Sequence, residues 1–211
     1  MMCFYIDTTS NYLYTGISKD NLLLIERKLN LAHDLSTFAL DEVRKMFLEV
    51  KVEPEDIDKI IVVNGPGSFT GIRIGVTIAK IYAYLLHKDI ITVSSLEAMN
   101  VSNKEDKLHV PIINARRGYV FGAIYDKDNI VLEEQYLTIE KLKLFLMGLN
   151  KDYVFISNDS FNDLETVKYD PDILKIINTY QNRDSINPHQ VNPVYLKLTE
   201  AEENKMKDNL W

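Results

Sequence analysis

The hydrophobic positions of this 211-residue chain fall into short apolar runs and longer amphipathic stretches. Ile60 to Val63 is an uninterrupted β-branched run, which is typical of a strand buried on both faces. The next five residues, Asn64 to Ser68, include two glycines and a proline and predict a tight turn. We expect a helix over about residues 70–87, with Ser68 or Thr70 as its N-cap.

The same patterns predict the other elements. In the first half, strands are expected at Met2–Asp7, Tyr12–Ser18, Leu22–Leu29 and Ile90–Val93, and a helix at about Asp34–Val50 with Asp34 as its N-cap. In the second half, strands are expected at His109–Asn114, Tyr119–Tyr125, Ile130–Leu137 and Tyr153–Ser157, and helices at Ile139–Leu149 and Asp172–Tyr180.

Both halves therefore read βββαβα, which predicts an α/β protein with a duplicated unit. The expected first lobe is 1–100 and the second is 101–211, with a polar boundary near 100–106 and a charge-rich tail from Lys197. Two such units that meet at a cleft form the architecture of the sugar-kinase, heat-shock-ATPase and actin superfamily. In that superfamily, an acidic residue after the first strand of each lobe serves the nucleotide's metal and phosphates.

A stripe of small residues follows one side of the helix at 70–87. Gly71, Gly75, Ala79 and Ala83 recur every four residues, although a glycine inside a helix costs about 1 kcal/mol relative to alanine. Some close contact must compensate, and either the chain's own sheet or another helix would supply it. We expect a partner helix, with an interface formed by this stripe and by Ile72, Leu35, Phe38 and Ala39.

Composition narrows the class of protein. A net charge of -7 argues against autonomous binding of nucleic acid, because that affinity depends on basic residues that neutralise phosphates. The single cysteine, Cys3, cannot form an internal disulfide, which favours a reducing compartment. Few apolar residues precede Asp7, and the longest apolar run carries Arg73 and Lys80. We therefore expect a cytoplasmic protein without a signal peptide or a membrane span.

The glycine-rich turn does not match the specific phosphate-binding motifs. Its G-x-G-x-x-x-G spacing is one residue too long for the dinucleotide fingerprint, and the Lys-Ser/Thr pair of the P-loop is absent. Ser68 does not stand in a G-x-S-x-G nucleophile elbow. Anion binding at the helix N-terminus stays open, but the pattern favours a structural turn. The four histidines, His33, His87, His109 and His189, lack metal-ligand spacing.

Five segments in order resemble the bacterial TsaB (YeaZ) family: Asp7-Thr-Thr9, Asn64-Gly-Pro-Gly-Ser-Phe-Thr-Gly-Ile-Arg-Ile-Gly75, Val93-Ser-Ser-Leu-Glu-Ala98, Ile113-Asn-Ala-Arg-Arg-Gly118 and Asn192-Pro-Val-Tyr-Leu196. The most specific of them is G-P-G-S-F-T-G-I-R-I-G. The resemblance implies a dimerising scaffold of the machinery that makes threonylcarbamoyladenosine at position 37 of tRNAs reading A-starting codons. Its implied partners are a second copy, a catalytic TsaD-like paralogue and a TsaE-like ATPase, with tRNA bound only through the complex.

Two departures favour a non-catalytic role. Ser95 and Met99 stand where the catalytic paralogue carries two metal-binding histidines, and Asn114 replaces the family's usual aspartate. We therefore predict no catalytic residues, no metal and no cofactor, with a weak remaining nucleotide site at Asp7, Thr8 and Thr9. The alternative is an actin-like small-molecule kinase or ATP hydrolase that uses Asp7.

Overall fold

Two five-stranded mixed sheets form the framework of the computed structural model, which describes residues 1–197. The first half contains strands β1 (Met2–Asp7), β2 (Tyr12–Lys19), β3 (Leu22–Asn30), β4 (Lys59–Val63) and β5 (Ile90–Val93), and helices α1 (Leu35–Val50), α2 (Phe69–Leu86) and α3 (Ser95–Ser102). The second half contains strands β6 (Leu108–Asn114), β7 (Tyr119–Asp126), β8 (Asn129–Thr138), β9 (Tyr153–Ser157) and β10 (Val167–Lys168), and helices α4 (Ile139–Leu149) and α5 (Ile173–Tyr180).

The two sheets have the same strand order. The first sheet runs β3-β2-β1-β4-β5 and the second runs β8-β7-β6-β9-β10. In each sheet the first strand of the lobe is central, antiparallel to the second strand and parallel to the fourth. This repetition confirms the predicted two-lobe, actin-like α/β architecture.

The first sheet is covered on both faces, which explains its uninterrupted apolar strands. Phe4 and Ile6 of β1 face the core that contains α1 and α2, whereas Cys3 and Tyr5 face a second core. That second core includes α3, α5 and Tyr125 of the second lobe. The side chains of β1 therefore alternate between two apolar environments, and the strand joins both cores.

The end of the chain returns to the first lobe, although the sequence assigns it to the second. Ile173 and Ile177 of α5 pack against the second face of the first sheet. Ile186 then pairs with Ile90 at the edge of that sheet, and Val191 is fully buried in the core beneath α1 and α2. The last part of the chain thus closes the first lobe rather than extending the second.

Element boundaries agree closely with the sequence patterns, with three differences. Asp34 occupies the N-cap position of α1 but makes no side-chain capping hydrogen bond. Helix α3 and the two-residue strand β10 are additional elements. Residues 198–211, most of the predicted tail, lie outside the described residues.

The expectation that the small-residue stripe of α2 receives a partner helix is wrong. A Cβ atom on Gly71 or Gly75 would lie less than 3.0 Å from Thr8, which follows β1, and Ala79 and Ala83 are fully buried. The stripe is therefore filled by the chain's own loop and sheet. Seven of the eight predicted interface residues are buried: Leu35, Ala39, Gly71, Ile72, Gly75, Ala79 and Ala83. The eighth, Phe38, is exposed.

Candidate functional site

A cavity of about 510 Å³, which we call the cleft, lies between the two lobes. The first lobe contributes the end of β1, the start of α2 and part of α3. The second lobe contributes the ends of β6 and β9. Residues from both lobes line the cleft, among them Asp7, Thr9, Tyr14, Ser68, Ser95, Met99, Asn114, Arg116, Phe121, Asn158, Asp159 and Tyr169.

Asp7 is the most deeply buried acid of the cleft, with 2% of its surface exposed. Its Oδ1 accepts hydrogen bonds from the Thr9 backbone N–H at 2.8 Å and from the Thr9 hydroxyl at 2.7 Å. Burial raises the pKa of Asp7 to about 6, and the two Thr9 hydrogen bonds act in the opposite direction. A carboxyl group held at the end of a central strand with a pKa near neutrality is characteristic of functional sites.

The structure brings two of the three predicted residues of this loop to the cleft. Asp7 and Thr9 line it, whereas Thr8 does not. The Thr8 hydroxyl instead donates to the Gly71 carbonyl oxygen at 2.7 Å and so joins the loop to α2. Thr8 therefore positions the loop and is not part of the cleft surface.

The glycine-rich turn is held by contacts within the chain. Ser95 donates through its hydroxyl to the Pro66 carbonyl and through its backbone N–H to the Gly65 carbonyl, at 2.6 and 2.9 Å. Ser68 caps α2 as expected, because its hydroxyl accepts from the Gly71 N–H at 3.2 Å. Gly65 has a φ of 120°, which favours glycine. These contacts support the structural interpretation of the turn.

Ser95 and Met99, which the resemblance predicts to replace two histidines, both lie on α3. Ser95 and Met99 line the cleft from α3, but the Ser95 hydroxyl already donates to the turn. Within residues 1–197, no group of three His, Cys, Asp or Glu side chains is arranged to hold a metal ion. His109 is structural, because its two ring nitrogens contact the Asn100 side chain and the Glu105 carbonyl.

The second-lobe side of the cleft is held by local hydrogen bonds. Asn114 donates its backbone N–H to Asp159 at 2.7 Å and accepts at its side chain from the Arg116 N–H at 2.8 Å. Asn158 donates through Nδ2 to the Tyr14 hydroxyl of the first lobe at 3.0 Å. This last hydrogen bond connects the lobes across the cleft.

The second candidate site is the side of α2 opposite the small-residue stripe. Ile81, Tyr84 and Leu85 are 49%, 61% and 68% exposed, and with Pro188 and His189 they line a surface cavity of about 540 Å³. On α1, Phe38, Leu40 and Leu48 are exposed as well. We call these six apolar residues of α1 and α2 the apolar helix surface. The sequence shows that α2 is apolar all round, but only the fold shows which side is left uncovered.

Arg73 is exposed at the start of α2 and contacts two aromatic side chains. Its guanidinium lies 3.8 Å from the centroid of the Phe69 ring, and its Nε donates to the Tyr195 hydroxyl at 3.0 Å. The Phe69 and Tyr195 rings stack at 4.8 Å. These contacts fix residue 195 of the returning chain on the start of α2.

Helix α2 is also the one described helix that is long and apolar enough, by length and composition, to cross a membrane. Its buried side packs on β4 of the first sheet, as in the core helix of a folded lobe. One such helix is weak evidence for a membrane span.

The chain is similar to known proteins along most of its length. The family model for TsaD, tRNA N6-adenosine threonylcarbamoyltransferase, matches residues 32–164. The tRNA threonylcarbamoyladenosine biosynthesis protein TsaB of Bacillus subtilis is 28% identical over 96% of both chains. TsaB of Buchnera aphidicola subsp. Schizaphis graminum is 24% identical over 72% of this chain and 76% of its own. The structure of YeaZ from Pseudomonas aeruginosa has a TM-score of 0.75 at 19% identity, over 92% of this chain and 99% of that one.

The fold is thus a two-lobe, actin-like α/β fold, and the family model that matches the chain is that of a tRNA threonylcarbamoyltransferase. The chain belongs to the family that this model describes, and among its members it belongs with the TsaB (YeaZ) proteins.

Proposed function

We propose that this chain is a non-catalytic scaffold in the formation of N6-threonylcarbamoyladenosine at position 37 of tRNAs that read A-starting codons. It binds and activates a catalytic TsaD-like paralogue in the cytoplasm, and a TsaE-like ATPase completes the complex. Support comes from the TsaB relative that matches 96% of the chain, whose name assigns it to threonylcarbamoyladenosine biosynthesis. The observation that carries the scaffold role is the apolar helix surface.

The apolar helix surface has the properties of a protein interface. Large exposed apolar side chains that lie together mark interaction sites, and Ile81, Tyr84 and Leu85 line one cavity. Tyr84 and Leu85 leave most of their surface exposed, and the adjoining cavity offers a recess for a partner side chain. Tyrosine is also enriched at the centre of interfaces. We place both the homodimer contact and the contact with the catalytic paralogue on this surface.

The cleft favours a partner role over catalysis. Ser95 is committed to the glycine-rich turn and Met99 is a thioether, so neither offers an imidazole ligand. Asn114 supplies an amide in place of a carboxylate and is engaged with Arg116. The Thr9 hydroxyl donates to Asp7, but the backbone N–H of Thr9 donates to the same oxygen, so the pair forms a local turn after β1.

Complementation tests this proposal. The host cells lack their own TsaB-type protein and carry the catalytic paralogue. They receive one of three chains: wild type, Leu85→Glu or the matched control Leu144→Glu. Leu144 lies on α4, 70% exposed and outside the apolar helix surface. We expect wild-type chain and control to restore threonylcarbamoyladenosine in tRNA hydrolysates, measured by mass spectrometry, and to co-purify with the paralogue. We expect Leu85→Glu to fail in both assays.

Two results would contradict the proposal. Equal activity of both variants would show that the apolar helix surface is not the interface. ATP turnover by the isolated chain that is lost in Asp7→Asn would favour the enzyme alternative, a kinase or hydrolase. An exposed glutamate on α2 is not expected to disturb the core, and thermal unfolding of each variant checks this.

A further inference from the structure

Asp7 is a buried carboxylate without a cationic partner among residues 1–197. The backbone N–H and the hydroxyl of Thr9 both donate to Oδ1 of Asp7, and no described residue donates a hydrogen bond to Oδ2. The titratable groups that face it are the phenols of Tyr5, Tyr14 and Tyr169. Buried charges in proteins are normally paired. The Oδ2 atom of Asp7 is therefore available to a ligand that carries positive charge.

Aromatic side chains surround the same part of the cleft. Tyr14 and Tyr169 both line it, and their rings meet edge to face at 5.8 Å. The Tyr12 ring stacks on Tyr14 at 5.3 Å and holds it in place. Phe121 and Met99 add apolar surface. The faces of aromatic rings attract cations, and groups of them recognise quaternary and methylated ammonium ions.

The cleft contains buried polar atoms without a partner among the described residues, and one of them is the Tyr169 hydroxyl, which can donate as well as accept. The Oδ1 atom of Asn158 is buried and has no hydrogen-bond partner among the described residues, while Nδ2 of the same amide is held by Tyr14. Asp159 adds a second carboxylate. Among the described residues, Arg116 is the one basic residue that lines the cleft, and it is exposed. Two carboxylates against one exposed guanidinium disfavour a polyphosphate and favour a ligand with positive charge.

We propose that the cleft binds a small organic ammonium ion. Its charged nitrogen lies between Asp7 and the free Oδ1 of Asn158, and its alkyl groups contact the rings of Tyr14 and Tyr169. The cleft volume of about 510 Å³ is ample for such a molecule. The proposal does not depend on the role in tRNA modification.

Matched probes on the unaltered full-length chain test this assignment without any substitution. The probes are choline, ethanolamine and 3,3-dimethylbutan-1-ol, which has the shape of choline but no charge. Binding is measured by calorimetry and by saturation-transfer NMR at constant ionic strength. We expect choline or ethanolamine to bind at least about tenfold more tightly than the neutral alcohol, because the charge contributes both the Asp7 and the aromatic contacts.

Two variants locate the site. Asp7→Asn removes the charge and keeps an oxygen for Thr9, and we expect it to weaken binding of the cation about tenfold or more. Asp106→Asn removes one charge from a side chain that is 90% exposed, and it controls for the net charge of -7. We expect no change in that control. If Asp7→Asn fails to fold, Asn158→Leu replaces it, with the same expected loss.

Several outcomes would overturn the proposal. They are equal binding of choline and its neutral isostere, equal weakening in Asp7→Asn and Asp106→Asn, and binding of potassium ion alone with no affinity for either amine.

Discussion

The Thr8 hydroxyl donates to the Gly71 carbonyl oxygen at 2.7 Å, and the backbones at this contact are too close for a side chain on residue 71. The contact joins the loop after β1 to the first turn of α2. Because Asp7 and Thr9 flank Thr8, it also fixes the side chains that line the cleft. The small residues of α2 thus serve the architecture of the cleft rather than the association of helices.

This contact predicts the effect of adding a methyl group. Gly71→Ala should lower the free energy of unfolding by about 1 to 3 kcal/mol through overpacking against Thr8. Gly148→Ala is the matched control, because Gly148 lies in α4 and a Cβ there meets nothing within 4 Å. The control should gain up to about 1 kcal/mol from helix propensity. Urea unfolding measures both, and an unchanged midpoint for Gly71→Ala would mean that the Thr8 loop yields easily.

The apolar helix surface predicts a change of association without a loss of the fold. Ile81→Glu and Leu85→Glu each place a charge on a side chain that is about half or more exposed. We expect the molar mass from light scattering to fall toward the 24.4 kDa of one chain, with cooperative thermal unfolding retained. Unfolding is compared at one protein concentration, because the apparent stability of a dimer depends on concentration. Leu144→Glu should keep the wild-type mass. If all three variants keep it, the chain associates elsewhere or is a monomer.

The raised pKa of Asp7 leads us to expect that stability depends on pH in a specific way. Its pKa is about 6 in the folded protein and near the usual 3.8 when unfolded, so the unfolded state releases its proton first as the pH rises. Asp7 therefore lowers stability progressively between about pH 4 and pH 6 and costs about 3 kcal/mol above that range. Asp7→Asn removes this charge, so it should raise the free energy of unfolding by up to about 3 kcal/mol at pH 7.5 and by almost nothing at pH 4.

Denaturant titrations of wild type and Asp7→Asn at several pH values measure this difference. Taking the difference cancels the contributions of other acids, including Glu134, whose pKa burial also raises. A gap that is constant with pH would show that Asp7 titrates normally.

The Tyr195 contacts predict how the returning chain is held. Tyr195→Ala removes both the Phe69 stack and the hydrogen bond from Arg73, whereas Tyr195→Phe removes only the hydrogen bond. We expect faster amide hydrogen exchange at residues 64–70 in Tyr195→Ala, because the Val194 N–H donates to the Asn64 carbonyl nearby. Tyr195→Phe should stay close to wild type. Equal exchange in all three proteins would show that this end of the chain does not restrain the turn.

The charge of the chain predicts weak contact with RNA. With a net charge of -7, the isolated protein has little basic surface to displace counterions from a polyanion. We expect no more than non-specific binding of purified tRNA in filter-binding or anisotropy measurements. A salt-dependent complex of micromolar affinity or tighter would indicate direct recognition.

The secondary-structure elements and their duplication could be predicted from local patterns in the chain. Uninterrupted β-branched runs such as Ile60 to Val63 require burial on both faces, and the turn at Gly65 and Gly67 requires backbone freedom, so local patterns sufficed. The motifs also led to the correct family. Asp7 and Thr9 were predicted, together with Thr8, because the actin-like superfamily places an acidic residue after the first strand of each lobe.

Only the tertiary structure decided which side of α2 is covered. The stripe at Gly71 and Gly75 and the surface at Ile81 and Leu85 lie on opposite sides of one apolar helix, and the periodicity does not tell which side meets the sheet. That choice depends on Thr8, which is 63 residues from Gly71 in the chain. The same holds for Asp7, because the lack of a cation beside it within residues 1–197 is a property of all the described elements that pack there.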